Sequence, residues 1–111
     1  MSGNLQAVGA YLRRLRQEKK LTVTNVASEF GTGESHMRRI ELGRIDTRFS
    51  MMIELCDFLE GDISDISVLL LSEQATPERA IRLAERHIAS REHQAAVLAE
   101  NGVEYEANGE G

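Results

Sequence analysis

The sequence predicts an all-α chain, and three observations carry that prediction. Apolar residues recur at helical spacing, as at Val23, Val26, Ala27 and Phe30, which stand at i, i+3, i+4 and i+7. No segment alternates apolar and polar residues in the manner of a half-buried strand, and aromatic residues are few, two Tyr and three Phe with no Trp. The single proline, Pro77, stands at an expected helix start, where its missing N–H costs nothing.

The elements follow in order. A first helix shows Val8, Leu12 and Leu15 on one face. A second is expected from about Val23 to Phe30, with Thr22 as an N-cap whose hydroxyl accepts a backbone N–H. Gly31 then supplies the left-handed backbone that ends a helix. A third runs over about Glu34 to Leu42. It turns Met37, Ile40 and part of Leu42 inward, leaves Glu34, Ser35, Arg38 and Arg39 outward, and closes at Gly43. A fourth, Phe49 to Asp62, presents Phe49, Met52, Ile53, Cys56 and Leu59 to the core.

Beyond Asp62 the pattern changes. Ile63 to Gln74 reads as a short apolar helix carrying Ile63, Ile66, Leu69, Leu70 and Leu71, more apolar surface than a small four-helix domain needs. Thr76, Pro77 and Glu78 make a strong start signal for a sixth helix, expected to reach about Glu100 and to stop at Asn101-Gly102. Its stripe of Ile81, Ala84, Ile88, Ala95 and Leu98 is interrupted at Arg91, and Glu78 and Arg82 form a favourable i,i+4 pair. The expected organisation is a compact domain over residues 5–62, a helical extension over 63–102, and an acidic, disordered tail over 103–111.

The net charge of −5 is unevenly spread. Gly9 to Arg48 holds nine Lys/Arg against five acids, a net +4, whereas Gly61 onward holds four Arg against ten acids, a net −6. Phosphate binding depends on potential within a Debye length of about 8–10 Å, so a basic face works on an acidic protein. Met1 to Gly9 is neither basic nor followed by an apolar stretch, so no secretory leader is expected. No apolar run approaches the roughly 20 residues that cross a bilayer. One cysteine excludes an intramolecular disulfide and fits a reducing cytoplasm.

Two short helices joined by a glycine turn, the second with a polar leading edge, suit entry into the major groove of DNA. The segment LTVTNVASEFGTGESHMRRIELG (Leu21 to Gly43) resembles the helix-turn-helix of the lambda-repressor-like (Cro/cI-type) regulators, also called the xenobiotic-response-element family. Upstream, Val8 to Thr22 is similar to the family's first helix, with its Leu-Arg-x-Leu-Arg rhythm at Leu12, Arg13, Leu15 and Arg16. Downstream, Arg39 to Arg44 resembles the end of the recognition helix, and Phe49 to Asp62 the fourth helix. The likeness covers about residues 5 to 66. It departs from the usual pattern at Val23, where many members place Gln, at Gly33, where Ser or Thr is common, and at Thr47-Arg48 in place of Pro-Ser.

The resemblance implies a role for particular residues. Base reading would fall to Glu34, Ser35 and Arg39, the last able to bind guanine O6 and N7 in a bidentate pair. Phosphate contacts would come from Arg44 and Arg48, with His36, Arg38, Arg13 and Lys20 as further donors. Arg16 and Glu41 would form a salt bridge that clamps the first helix to the recognition helix. Against these roles stand simpler ones: Ser35 as a solvated helix-start residue, and Glu34 as an acid favoured by the helix dipole.

The expected partners are double-stranded DNA and a second copy of the chain, dimerising through Ile63, Ile66, Leu69, Leu70, Ile81, Ile88 and Leu98. The competing arrangement folds the sixth helix back on the first and fifth helices of its own chain. The expected function is a cytoplasmic transcriptional regulator, a repressor, reading a short palindromic operator. The alternative is a protein-interaction module, anti-repressor or antitoxin-like, acting through the C-terminal helix. An enzyme is not expected, since His36, His87 and His93 lack metal-ligand spacing and no nucleophile has a base beside it. No metal or cofactor is expected, and the sequence shows no site for a small-molecule effector. Cys56, at an inward position of the fourth helix, reads as a small core residue.

Overall fold

The chain forms six helices in a computed structural model: α1 (Ser2–Glu18), α2 (Val23–Glu29), α3 (Glu34–Glu41), α4 (Phe49–Phe58), α5 (Ile63–Leu71) and α6 (Pro77–Glu110). The structure describes residues 2–45 and 47–110, with side chains described over 4–45 and 47–100. No strand occurs among the described residues. The all-α prediction therefore holds, element by element.

Helix α1 lies at the centre because one broad face of it is apolar. Ala7, Val8, Tyr11, Leu12 and Leu15 are all buried, against Val23, Val26 and Ala27 of α2, Met37 and Ile40 of α3, Met52, Leu55 and Cys56 of α4, Ile66 and Leu69 of α5, and Ala80, Ala84 and Ile88 of α6. Full burial of a Leu, Ile or Met side chain contributes about 1.5–3 kcal/mol. Phe30 and Phe58 meet edge to face, with ring centroids 5.5 Å apart, at the seam between α2 and α4. The phenol of Tyr11 is a polar tip sent deep into this core. It donates to Asp65 Oδ2 at 2.8 Å and accepts from the Asp62 N–H at 3.0 Å, tying α1 to the start of α5. Asn4 does the same at the other end of α5, donating to the Leu69 and Ser72 carbonyls at 2.8 and 2.6 Å.

Local signals set the helix boundaries. Thr22 accepts from the Asn25 N–H at 3.0 Å, and Asn25 Oδ1 accepts from the Thr22 N–H at 3.1 Å, a reciprocal cap at the start of α2. Thr76 accepts from the Arg79 N–H at 3.2 Å in the first turn of α6. Helix α2 closes with Thr32 N–H on the Ala27 carbonyl and Gly31 N–H on that of Ser28, Gly31 being left-handed at φ 63°. Helices α1 and α4 close by the same pattern, but with Lys20 (φ 60°) and Glu60 (φ 59°) in the left-handed position. Each of these two costs about 1 kcal/mol or more relative to glycine.

Gly43 is required twice over. It closes α3 at φ 68°, and a Cβ there would overlap the backbone of Leu5 and Gln6. From the facing side, a Cβ on Gly9 would overlap the carbonyls of Ile40 and Glu41. These two glycines let α1 and the end of α3 approach backbone to backbone. Gly43→Ala is expected to destabilise the domain by about 2–4 kcal/mol, from overpacking and the left-handed strain together. Urea unfolding measures it, and an unchanged midpoint would contradict the packing described.

Several inward assignments are corrected. Phe49 is 51% exposed, and Leu55 takes its expected place in the α4 core, because the α3–α4 loop starts the helix with Phe49 outward. Leu42 is 44% exposed, as it caps α3 beyond the last core-facing turn. Helix α6 packs along Ala80, Ala84 and Ile88, and the two small alanines let it lie close on α1. Ile66, Leu69 and Ile88, expected to pair across a dimer, are thus enclosed within their own chain, and Leu70 packs against the same core. Ile63, Ile81 and Leu98 remain exposed. Helix α6 also continues past Asn101-Gly102 to Glu110, so the backbone of the acidic tail is helical that far. One glycine costs a helix only about 1 kcal/mol, and no proline follows it.

Cys56 is 1% exposed. Burial pushes its thiol up to about 11, with the carboxylates of Asp62, Asp65 and Asp57 adding to the effect. At pH 8 the folded chain is expected to resist thiol reagents, labelling only as fast as it unfolds, and to label at once in denaturant. Rapid labelling of the native chain would contradict that burial.

Candidate nucleic-acid interface

The placement of α3 follows from two buried residues and one ion pair. Met37 and Ile40 face the core, so Glu34, Ser35, Arg38 and Arg39 are left exposed along the opposite side. Arg16 of α1 holds the far end of the helix. Its Nε and Nη2 donate to the two Glu41 carboxylate oxygens at 2.6 and 3.2 Å, and its Nη1 donates to the Leu21 carbonyl at 2.8 Å. The side chains of this pair are 11% and 8% exposed. A planar guanidinium that satisfies a carboxylate on two atoms and a turn on the third fixes direction as well as distance.

On the outward side, Ser35 and Arg39 share one strip of α3, four residues apart. Arg39 reaches back only to the Ser35 carbonyl at 3.4 Å, a long and solvent-exposed contact. Glu34 is held differently. It accepts from the Thr24 hydroxyl at 2.6 Å and from Arg38 Nε at 3.0 Å. Thr24 first, then Arg38, hold its carboxyl below the usual range. The acid is therefore ionised at neutral pH, and it occupies Arg38 as an i,i+4 partner. The second residue of α2 thus braces the start of α3, a role the sequence analysis did not assign to Thr24. Val23, where the family often has Gln, is 7% exposed and belongs to the core.

Four of the remaining expected phosphate donors fall on two grooves. His36, Thr47, Arg48, Ser50, Met51 and Glu54 line one of about 410 Å³ between α3 and the start of α4, which brings together two of the expected phosphate donors. Arg13 and Arg44 line another of about 430 Å³, with Arg14, Gln17 and Glu41, bounded by Pro77 and Ile81 of α6. Arg14 there is engaged by Glu85 at 3.3 Å. Lys20 lines neither groove and sits exposed in the turn between α1 and α2. The expected donors are therefore distributed around α3 rather than gathered on one side. Among the described residues, no helix is long and apolar enough to cross a membrane.

Comparison with known proteins agrees with the helix-turn-helix fold. The family described as a helix-turn-helix domain matches residues 7–69. An uncharacterized 15.4 kDa protein in the HgiDIIM 5′ region of Herpetosiphon aurantiacus is 38% identical over 78 residues. That match covers 70% of this chain and 56% of the relative, so the chain spans little more than half of that protein's length. No solved structure matches the chain.

Proposed function

The chain belongs to the lambda-repressor-like helix-turn-helix family, and from that premise we propose that it is a transcriptional repressor that reads a short palindromic operator as a homodimer. The observation that carries the reading is the pair Ser35 and Arg39, presented on the exposed strip of a helix whose far end is clamped by Arg16 and Glu41. Arg39 supplies guanine recognition and Ser35 a base-edge or phosphate contact. Arg48 and His36 contact phosphate on one side of α3, and Arg13 and Arg44 on the other. Arg38 contributes less, since Glu34 already neutralises it. The dimer uses what the core leaves uncovered, Ile63, Ile81 and Leu98 together with Leu71, which is 84% exposed. A symmetric pair sets two recognition helices about 34 Å apart, one turn of duplex.

Operator affinity measured across salt concentration tests this reading. Its logarithm is expected to fall linearly with log salt, with a slope of about −0.9 per phosphate neutralised, and Arg44→Ala or Arg48→Ala is expected to flatten it by about one contact. A second reading, a protein-interaction module, draws on α6 beyond Ile88, where Val97 and Leu98 are 39% and 68% exposed. It predicts no salt-dependent DNA affinity at all.

A further inference from the structure

Two carboxylates at the start of α5 meet an imidazole from the distant helix α6. The ligand atoms of Asp62, Asp65 and His87 lie within 4.8 Å of one another. Two aspartates at a helix start would amount to no more than a cap. The imidazole, delivered from α6 across the fold, changes the chemistry of the group.

Each of the three is oriented by a neighbour outside the group. Asp62 Oδ1 accepts from the Ser64 N–H at 2.9 Å and from its hydroxyl at 2.6 Å. Asp65 Oδ2 accepts from the Tyr11 phenol at 2.8 Å, which leaves its other oxygen uncommitted. His87 Nε2 stands 2.8 Å from the Glu60 carbonyl. A carbonyl only accepts, so Nε2 is the donor there and Nδ1 is the nitrogen left for a metal. A histidine whose second nitrogen is tied to a backbone carbonyl is the usual arrangement behind a metal ligand.

We propose that Asp62, Asp65 and His87 form a site for a first-row divalent cation of the Zn2+ class, which staples α6 to the start of α5. An imidazole nitrogen with two carboxylates favours Zn2+, Co2+ or Ni2+ over Mg2+ and Ca2+, which prefer oxygen alone. Ligand atoms held about 2.0–2.2 Å from a tetrahedral ion stand roughly 3.4 Å apart, so side-chain rotations of about 1 Å close the group. Three protein ligands leave the fourth position to water. The consequence is mechanical. The helix that carries the exposed apolar residues Val97 and Leu98 becomes fixed to the helix-turn-helix body. The site stands apart from α3 and does not depend on the DNA-binding reading.

The test uses the full chain, stripped with a chelator and titrated with ZnCl2. Calorimetry is expected to find one tight site per chain. Thermal unfolding at a hundredfold excess over Kd is expected to shift up by about 5 °C or more. His87→Ala, at a half-buried position outside the buried core, is expected to weaken Zn2+ binding at least tenfold and to abolish the shift, as is Asp65→Asn. His36→Ala and His93→Ala are expected to leave both readouts unchanged. Zn2+ binding that survives His87→Ala, or no Zn2+-dependent shift in the unmutated chain, would overturn the proposal. So would a His87-dependent stability that follows pH but not metal, since it would make the imidazole a charged partner of the aspartates.

Discussion

Replacing Arg16 with Ala is expected to cost the domain about 3–5 kcal/mol, the range found when one member of a buried ion pair is removed. The size follows from what is left behind. Glu41, 8% exposed, loses both of its donors, and the Leu21 carbonyl loses a third. The bridge between Arg38 and Glu34, exposed on both sides, leaves no such buried charge behind when it is broken. Arg16→Lys keeps the charge but not the planar fork, so it should recover only part of the loss. Urea unfolding reads the effect as a lower midpoint at an unchanged slope. A loss below about 1 kcal/mol for Arg16→Ala would mean that the pair is solvated in solution and does not aim α3.

The second large effect concerns binding rather than folding. Arg39→Ala is expected to lower operator affinity by about 1–3 kcal/mol, roughly 5- to 150-fold, and to relax preference at one guanine. Stability should stay within about 0.5 kcal/mol, because Arg39 is exposed and, among the described residues, its hydrogen bond is a long one to its own helix. The pair of variants separates two links of the argument. Arg16 acts on DNA only through the position of α3, whereas Arg39 acts without touching the fold. Equal losses on specific and nonspecific duplex for Arg39→Ala would reassign it to phosphate.

The fold was legible because its signals are local. Thr22, Gly31, Gly43 and Pro77 each mark a boundary within a few residues of where the structure places it, and the spacing of Val8, Leu12 and Leu15 marks a buried face. The Arg16–Glu41 pair was accessible through the family likeness alone, since 25 residues separate the partners. What escaped depends on packing. Tyr11 reads as one more helical aromatic until its phenol is seen between Asp62 and Asp65. The fold-back of α6 rests on Ala80 and Ala84, whose small size permits close approach but leaves no strong hydrophobic mark. The stripe of Ile81, Ala84, Ile88, Ala95 and Leu98 thus shares Ala84 and Ile88 with the buried face, whereas Ile81 and Leu98 lie outside it. Glu34 stood out as an acid near expected phosphates. Its bond to Thr24, ten residues earlier, gives it a structural task that spacing could not show.

Selection of random duplex DNA on the purified chain, at low and high salt and repeated with Arg39→Ala, tests the central claim most directly. The account predicts a palindromic motif at moderate salt, with half-sites one helical turn apart and a guanine preference that disappears in the variant. No enrichment at any salt, from a chain that unfolds cooperatively, would contradict operator reading and move attention to the exposed face of α6.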